Sequence, residues 1–168
     1  YDSIDEESIS LLDKVGFQTI IFGLESASPT ILEKIDKRID MEKFIQACEI
    51  VKPFKIDLSV FMIVGLPGET EETAEETLAF LTNLMERKLL QSVFPCNYAP
   101  YRGTKALEDL SLAGGWSLAQ EKDYFQWLMR GEPLVEYPHL KKDQLKNIML
   151  RMLGLNKGAT NAPVDKIK

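Results

Sequence analysis

An α/β fold built on a parallel sheet is predicted by three features of the 168-residue sequence. Helix-type and strand-type segments alternate from Ser3 to Tyr98, the pattern of βαβ units with right-handed crossovers. The run Leu58 to Val64 is apolar except at Ser59, which suits a strand covered on both faces. Gly65, Pro67 and Gly68 then stop it, in the way that carboxyl ends of parallel strands bring bare backbone up to a ligand.

Each element has its own signal. Ser3-Ile4-Asp5-Glu6 fits a capping box with Ser3 as the cap, Ile9, Leu12 and Val15 follow near helical spacing, and Gly16 is placed to stop the helix. Gln18 to Gly23 is short and rich in β-branched and aromatic residues, hence a strand, and it delivers Glu25 to its carboxyl end. Ser28-Pro29 opens a short helix, with Pro at the first position where a missing amide costs nothing, ending near Lys37-Arg38. Asp40 caps the next helix, whose Phe44, Ala47, Cys48 and Val51 form one apolar face before Pro53.

After the Gly-Pro-Gly turn a Thr-capped helix from Glu71 turns Ala74, Leu78, Leu81, Leu84 and Met85 inward, and Gln91 to Tyr98 reads as a third strand weakened by Pro95. Beyond Pro100 the pattern loosens. Lys105 to Leu112, Ser117 to Met129 and Lys141 to Leu153 are expected helices, the last with Leu145, Ile148, Met149 and Met152 on one stripe. Gly114-Gly115 is a break, and residues 154–168 read as a frayed tail. The expected organisation is thus 1–104 as the α/β part, 105–153 as a helical extension and 154–168 as a tail.

Composition narrows the function. With 45% hydrophobic and 27% charged residues the chain has material for one domain with a real core. Its 20 Lys+Arg against 26 Asp+Glu leave a net charge of -6, and the acids gather at Glu69, Glu71, Glu72, Glu75 and Glu76. Nucleic-acid binding, which needs a basic stripe, is not expected. No apolar run approaches the ~20 residues that cross a bilayer, and no signal-peptide pattern opens the chain, so no membrane partner and a cytoplasmic location are expected. The chain begins at Tyr1 and runs almost at once into a helix signal, which reads as a piece of something longer. Cys48, Cys96 and His139 compose neither a disulfide scaffold nor a metal cluster.

Candidate chemistry lies at the three strand ends, which face one cleft if the strands are neighbours. Glu25 has two readings: a carboxylate that accepts hydrogen bonds from a ribose diol, or an acid favoured by the dipole of the helix at Pro29. Gly65 to Gly68 with Ile63 and Val64 beneath is either bare backbone for a flat ring or simply a tight strand-to-helix turn. Lys37 and Arg38 are a carboxylate partner or a solvated surface pair. Tyr98 and Tyr101 are stacking residues or ordinary half-buried strand-end tyrosines. Glu69, Glu71 and Glu72 read as first-turn acids, His139 as structural or exposed, Cys48 as core, and Cys96 as a strand residue with no activating neighbour.

Taken together, Gly23-Leu24-Glu25-Ser26, the stretch Met62 to Thr70 (MIVGLPGET) and Ala99 to Thr104 (APYRGT) resemble the second half of a radical SAM core. The loose region after Thr104 resembles the extension of the cobalamin-linked subgroup, which includes the anaerobic magnesium-protoporphyrin monomethyl ester cyclase. The resemblance implies a partial (β/α) TIM-like barrel fragment with parallel strands, here the fourth to sixth, followed by an α-helical C-terminal extension. It implies S-adenosylmethionine (SAM) and a [4Fe-4S] cluster as cofactors, with cobalamin a further candidate, and reductive cleavage of SAM to a 5'-deoxyadenosyl radical.

By the same resemblance Glu25 and Ser26 approach the SAM ribose and Lys37 its carboxylate, with Arg38 standing where a small residue is frequent. Ile63, Val64 and Gly65 flank the adenine, and Tyr98 and Ala99 meet it through backbone. Catalytic and metal-ligating residues are expected to lie elsewhere: the Cys-x-x-x-Cys-x-x-Cys loop is absent from this sequence, so the isolated chain is expected to be inactive. The implied partners are a small-molecule substrate and the N-terminal half of the same core. Two other readings stand beside this one. A non-catalytic module would use exposed sheet edges, or the Lys141 to Leu153 helix, to bind a protein or a second copy. A Rossmann half is disfavoured because no Gly-x-Gly-x-x-Gly follows a strand.

Overall fold

The computed structural model describes residues 3–101, 103–105, 108 and 133–156. The helices expected over Lys105 to Leu112 and Ser117 to Met129 fall wholly or mostly outside the described residues, as do the Gly114-Gly115 break, Arg102 and positions 157–168. Among the described residues the elements run α1 (Glu6–Lys14), β1 (Thr19–Glu25), α2 (Pro29–Lys34), α3 (Met41–Val51), β2 (Asp57–Val64), α4 (Glu71–Glu86), β3 (Ser92–Asn97) and α5 (Lys142–Leu155). The strands form one parallel sheet in the order β1-β2-β3.

Local chemistry accounts for the element boundaries. The cap of α1 is Asp5 rather than the expected Ser3: its carboxylate accepts the Ser8 amide at 2.8 Å and the Ser8 hydroxyl at 3.1 Å, and a negative cap also suits the helix dipole. At the other end the Phe17 amide donates to Leu12 and the Gly16 amide to Asp13, the paired bonds of a Schellman stop. Asp40 caps α3 by accepting from the amides of Glu42 and Lys43, and Thr70 caps α4 in a reciprocal box with Thr73. Helix α2 ends at Lys34, a turn earlier than expected.

Sequential strand order with both crossover helices on one face is the arrangement of a singly wound barrel strip, not of a doubly wound sheet. Leu58, Val60, Met62 and Val64 of β2 and Val93 of β3 point to the helix side and are at most 1% exposed. On that side the Phe22 ring meets Phe44 of α3 edge-on at 5.8 Å, and Phe44 meets Phe80 of α4 at 6.3 Å. The opposite face carries Ile21, Gly23, Phe61, Ile63, Phe94 and Cys96. The expectation that β2 is covered on both faces fails there, since Phe61 is 48% exposed beside Phe94 at 5.8 Å. The apolar run therefore has one face in the core and one on which Phe61 stands exposed, Ser59 being buried at the start of that same face.

Pro95 sits inside β3 without breaking it. The Val93 amide and carbonyl both face away from β2, whereas the Tyr98 amide bonds Val64 of β2, so Pro95, in the parity of Val93, lacks its N–H on the outer edge. On that edge the side-chain amide of Asn156 accepts from the Val93 N–H and donates to its carbonyl, both at 2.8 Å, as a neighbouring strand would. Helix α5 thus runs on through Gly154, past the expected boundary at Leu153. Its Leu145, Ile148 and Met152 join the main core, and Arg151 ties it to Glu75 of α4 through a bidentate ion pair.

Thr77 of α4 holds the loop after β1 against the helix layer. Its hydroxyl oxygen accepts the Ala27 amide at 3.1 Å and lies 3.2 Å from the Ser26 hydroxyl, all three residues being buried. Thr77→Val keeps the shape and leaves the Ala27 amide unpaired, so we expect a loss of about 1–3 kcal/mol. Chemical denaturation checks this: the midpoint should fall while the slope stays unchanged.

Candidate functional site

Because the three strands are parallel neighbours, their carboxyl ends share one rim, as the sequence required for a common cleft. The most unusual backbone on that rim is at Glu25, whose φ is +65°. The Ser26 amide bonds the Leu24 carbonyl at 2.8 Å across it, closing a γ-turn, and the β1–β2 register shifts between Gly23 and Glu25. A left-handed non-glycine residue costs about 1–3 kcal/mol and clusters at ligand sites. The turn sends Leu24 into the core and leaves the Glu25 carboxylate lying over Gly23 on the open face. Lys37 reaches back from beyond α2 to pair with it at 2.7 Å, both side chains being partly exposed. A Cβ on Gly23 would stand 2.7 Å from the Glu25 carboxylate and 3.4 Å from the Lys37 ammonium. Gly23 is the bare floor that makes room for the pair.

The other expected residues divide by face. Ile63 stands half-buried on the open face, beside Cys96 of β3. Val64 is 1% exposed and points to the helices, so its side chain does not line that face; alternation along the strand decides this. Ser26 is 1% exposed and its hydroxyl is engaged with Thr77 and the Ser28 amide, which makes it a support for the loop rather than a presented group. The Tyr98 amide is committed to Val64, and Tyr98 and Ala99 pack with Leu134 and Val135. Arg38 is exposed beside Asp36, apart from the Glu25–Lys37 pair. Tyr101 is 63% exposed.

Glu69 is the residue whose role the sequence reading missed. It precedes the Thr70 cap, so it is not a first-turn acid as expected; Glu71 and Glu72 are. At 1% exposure its carboxylate folds back over the turn and accepts from the amide of Gly65, where φ is +89°, and the neighbouring Leu66 amide also favours its charge. Successive amides around a left-handed glycine form a concave anion site, and here the chain fills it with its own carboxylate. Burial dominates and pushes the Glu69 carboxyl up from 4.5 to about 7, the two amides partly offsetting it. The spacing of an acid four residues after the glycine that ends a strand was the available signal. His139 is also placed: its Nε2 lies 3.0 Å from the Glu69 carbonyl, and its ring stacks on Tyr137.

Among the described residues no group of three or more His, Cys, Asp or Glu stands ready to hold a metal ion. Cys48 is buried on α3, its thiol pushed up to about 12 by burial, and Cys96 is exposed on the open face. Two cysteines so separated do not fit a [4Fe-4S] cluster. The Glu25 rim, with its glycine floor, carboxylate, ammonium and adjacent Ile63, does fit a nucleoside with a charged tail. No described helix is long and apolar enough to cross a membrane.

Comparison with known proteins bears on the fold that carries this rim. Residues 2–81, just under half of the chain, match the family model described as the Radical SAM superfamily, a span that reaches into α4. An uncharacterized methyltransferase of Pyrococcus horikoshii is 27% identical over 154 residues, 88% of this chain and 30% of that protein. A tRNA-2-methylthio-N(6)-dimethylallyladenosine synthase of Clostridium botulinum is 35% identical over 102 residues, 60% of this chain and 22% of that protein. The chain therefore spans less than a third of either relative. Among solved structures, coproporphyrinogen III oxidase from Escherichia coli, described as a radical SAM enzyme, superposes with a TM-score of 0.59 at 15% identity, over 91% of this chain and 30% of that one. The fold resembles part of that enzyme's barrel, and among the described residues the sheet is open rather than closed.

Two outcomes test the site. A carboxyl group whose folded pKa lies above its unfolded value stabilises the fold fully below the unfolded value and loses that contribution as pH rises through the folded one. Wild type should therefore lose about 3 kcal/mol relative to Glu69→Gln between about pH 4.5 and pH 8. Denaturant titrations at each pH read it; parallel curves for the two proteins would refute the assignment. Glu25→Gly, which removes backbone strain, should leave the protein as stable as wild type or more so by about 1 kcal/mol. A thermal melt lowered by this change would show that Glu25 is held for stability.

Proposed function

We propose that this chain is the nucleoside-binding portion of a radical SAM enzyme, with its three strand ends forming one wall of the SAM cleft and part of the substrate cavity. The observation that carries the reading is the strained Glu25, held over Gly23 and paired with Lys37 at the open rim of a sheet whose sequence matches the Radical SAM superfamily. On this reading Glu25 accepts the ribose hydroxyls, Ile63 and the Gly65 backbone lie against the adenine, and Lys37 divides its charge between Glu25 and the SAM carboxylate. SAM, bound to a cluster held by other residues of the longer protein, would supply the carbon-radical chemistry that removes hydrogen from substrate. This chain's residues orient the nucleoside and exclude water from it.

The cluster and the remaining strands belong, in this proposal, to a longer protein of which the chain is a part. Its match to less than a third of each reported relative supports that, as does the apolar face left open by Ile21, Phe61 and Phe94. Methyl transfer is the favoured reaction, because the methyltransferase relative matches across 88% of the chain whereas the tRNA synthase matches 60%. Cobalamin and the cyclase reaction, expected from the region beyond Thr104, draw no support from the geometry or the relatives and form no part of the proposal. The interaction-module reading keeps one observation, the outer edge of β1, which no described strand covers. The β3 edge does not support it, since Asn156 occupies Val93 there.

The test is calorimetry with SAM on the longer protein, reconstituted with iron and sulfide, beside Glu25→Ala. We expect about tenfold to hundredfold weaker binding by the variant, the loss of a charge-assisted pair of hydrogen bonds. Equal affinity in both proteins would remove Glu25 from the site. An upstream reading frame without a three-cysteine loop would remove the catalytic reading altogether.

A further inference from the structure

Residues 133–140 return to the sheet after the segment outside the described residues and settle on the β2–α4 turn. Three apolar anchors hold them there: Leu134 and Val135 pack with Tyr98 and Ala99, and Leu140 is fully buried in the main core. Between the anchors Tyr137 and Leu140 exchange backbone hydrogen bonds of 2.9 and 3.3 Å around Pro138-His139, a tight turn that fixes where the two ring side chains project. Tyr137 then donates its hydroxyl to the Gly65 carbonyl at 3.1 Å, and His139 stacks on it while meeting the Glu69 carbonyl at 3.0 Å.

Gly65 is thereby held from both sides. Its amide is taken by the Glu69 carboxylate, and its carbonyl by a residue seventy-two positions away. The preceding carbonyl, of Val64, is taken by the Tyr98 amide. A glycine at φ +89° sits where a peptide plane turns over easily, so Glu69 fixes the 64–65 peptide through its N–H and Tyr137 fixes the 65–66 peptide through its carbonyl. That peptide follows directly on Ile63 and Val64 at the rim of the open face. An interior backbone carbonyl left without a donor is unfavourable, which gives the Tyr137 hydroxyl leverage beyond its own packing.

We propose that the 133–140 segment is a clasp for the ligand wall, with Tyr137 a positioning residue that fixes the Gly65 peptide against which the nucleoside base lies. The proposal rests on the reading of the rim as a SAM wall, and it adds that affinity is set in part by the chain beyond the barrel strands. Tyr137→Phe keeps the ring, its stacking and its packing, and removes only the donor.

Two measurements decide it. In this chain, amide hydrogen exchange followed by NMR should show Gly65 and Leu66 exchanging about tenfold faster in Tyr137→Phe, with α3 amides unchanged. In the longer protein, calorimetry should show about tenfold weaker SAM binding by the variant. Unchanged exchange at Gly65, or acceleration spread evenly over the sheet, would overturn the clasp. Faster exchange at Gly65 with undiminished SAM affinity would overturn the positioning role. A wild-type protein that binds no SAM would overturn the functional reading, leaving the exchange result to decide the clasp by itself. Should Tyr137→Phe fail to fold, His139→Ala, at an exposed position, replaces it with the same expectation for the amides of the turn and the same refutation.

Discussion

The turn that joins β2 to α4 closes around a buried carboxyl group, and the rest of the rim takes its position from that closure. A strand that ends on a glycine at positive φ exposes two successive amides with no strand left to accept them. Water would satisfy them on an open surface, but here the turn lies beneath Tyr98, Leu145 and the returning 133–140 segment. Glu69 supplies the acceptor from inside the turn. Burial makes its charge costly, which is why its pKa stands near 7, and the shape of the turn follows from keeping that side chain in place.

The rim at β1 solves a related problem in the opposite sense. There a charged side chain is presented rather than buried, at the expense of backbone strain at Glu25 and with the loss of any side chain at Gly23. Ser26 and Thr77 hold the loop from below, so the strained residue is braced by buried hydrogen bonds and by the packed face of α4. A ligand meeting this rim would find a carboxylate and an ammonium already in register. Pre-positioning of this kind lowers the ordering cost of binding.

Much of the fold was legible. The alternation of periods marked out all three strands, and Asp40, Thr70 and Gly16 behave as their residue types dictate. Buried stripes on α3, α4 and α5 followed the apolar spacing. What resisted reading was set by contacts distant in sequence or by the face a residue presents. Val64 and Ile63 look alike as letters, yet strand parity sends one to the core and the other to the rim. Ser26 looked like part of a site because of its neighbour, and a hydroxyl fifty-one residues away occupies it. Asn156 and Tyr137 carry no local signal, since each acts by completing a backbone group in another element. Glu69 was the nearest miss: its neighbours Glu71 and Glu72 suggested a dipole role, and only the fold of the turn shows the carboxylate reversed onto Gly65.

The central claim is that the open face and its rim form the nucleoside wall of a barrel completed by other strands. A crystal structure of the longer protein with SAM bound tests it most directly. The account predicts a strand paired along the outer edge of β1, the ribose hydroxyls within hydrogen-bond distance of the Glu25 carboxylate, and adenine against Ile63 and the Gly65 backbone. A nucleoside bound elsewhere, with Glu25 still closed on Lys37 and the β1 edge unpaired, would contradict it.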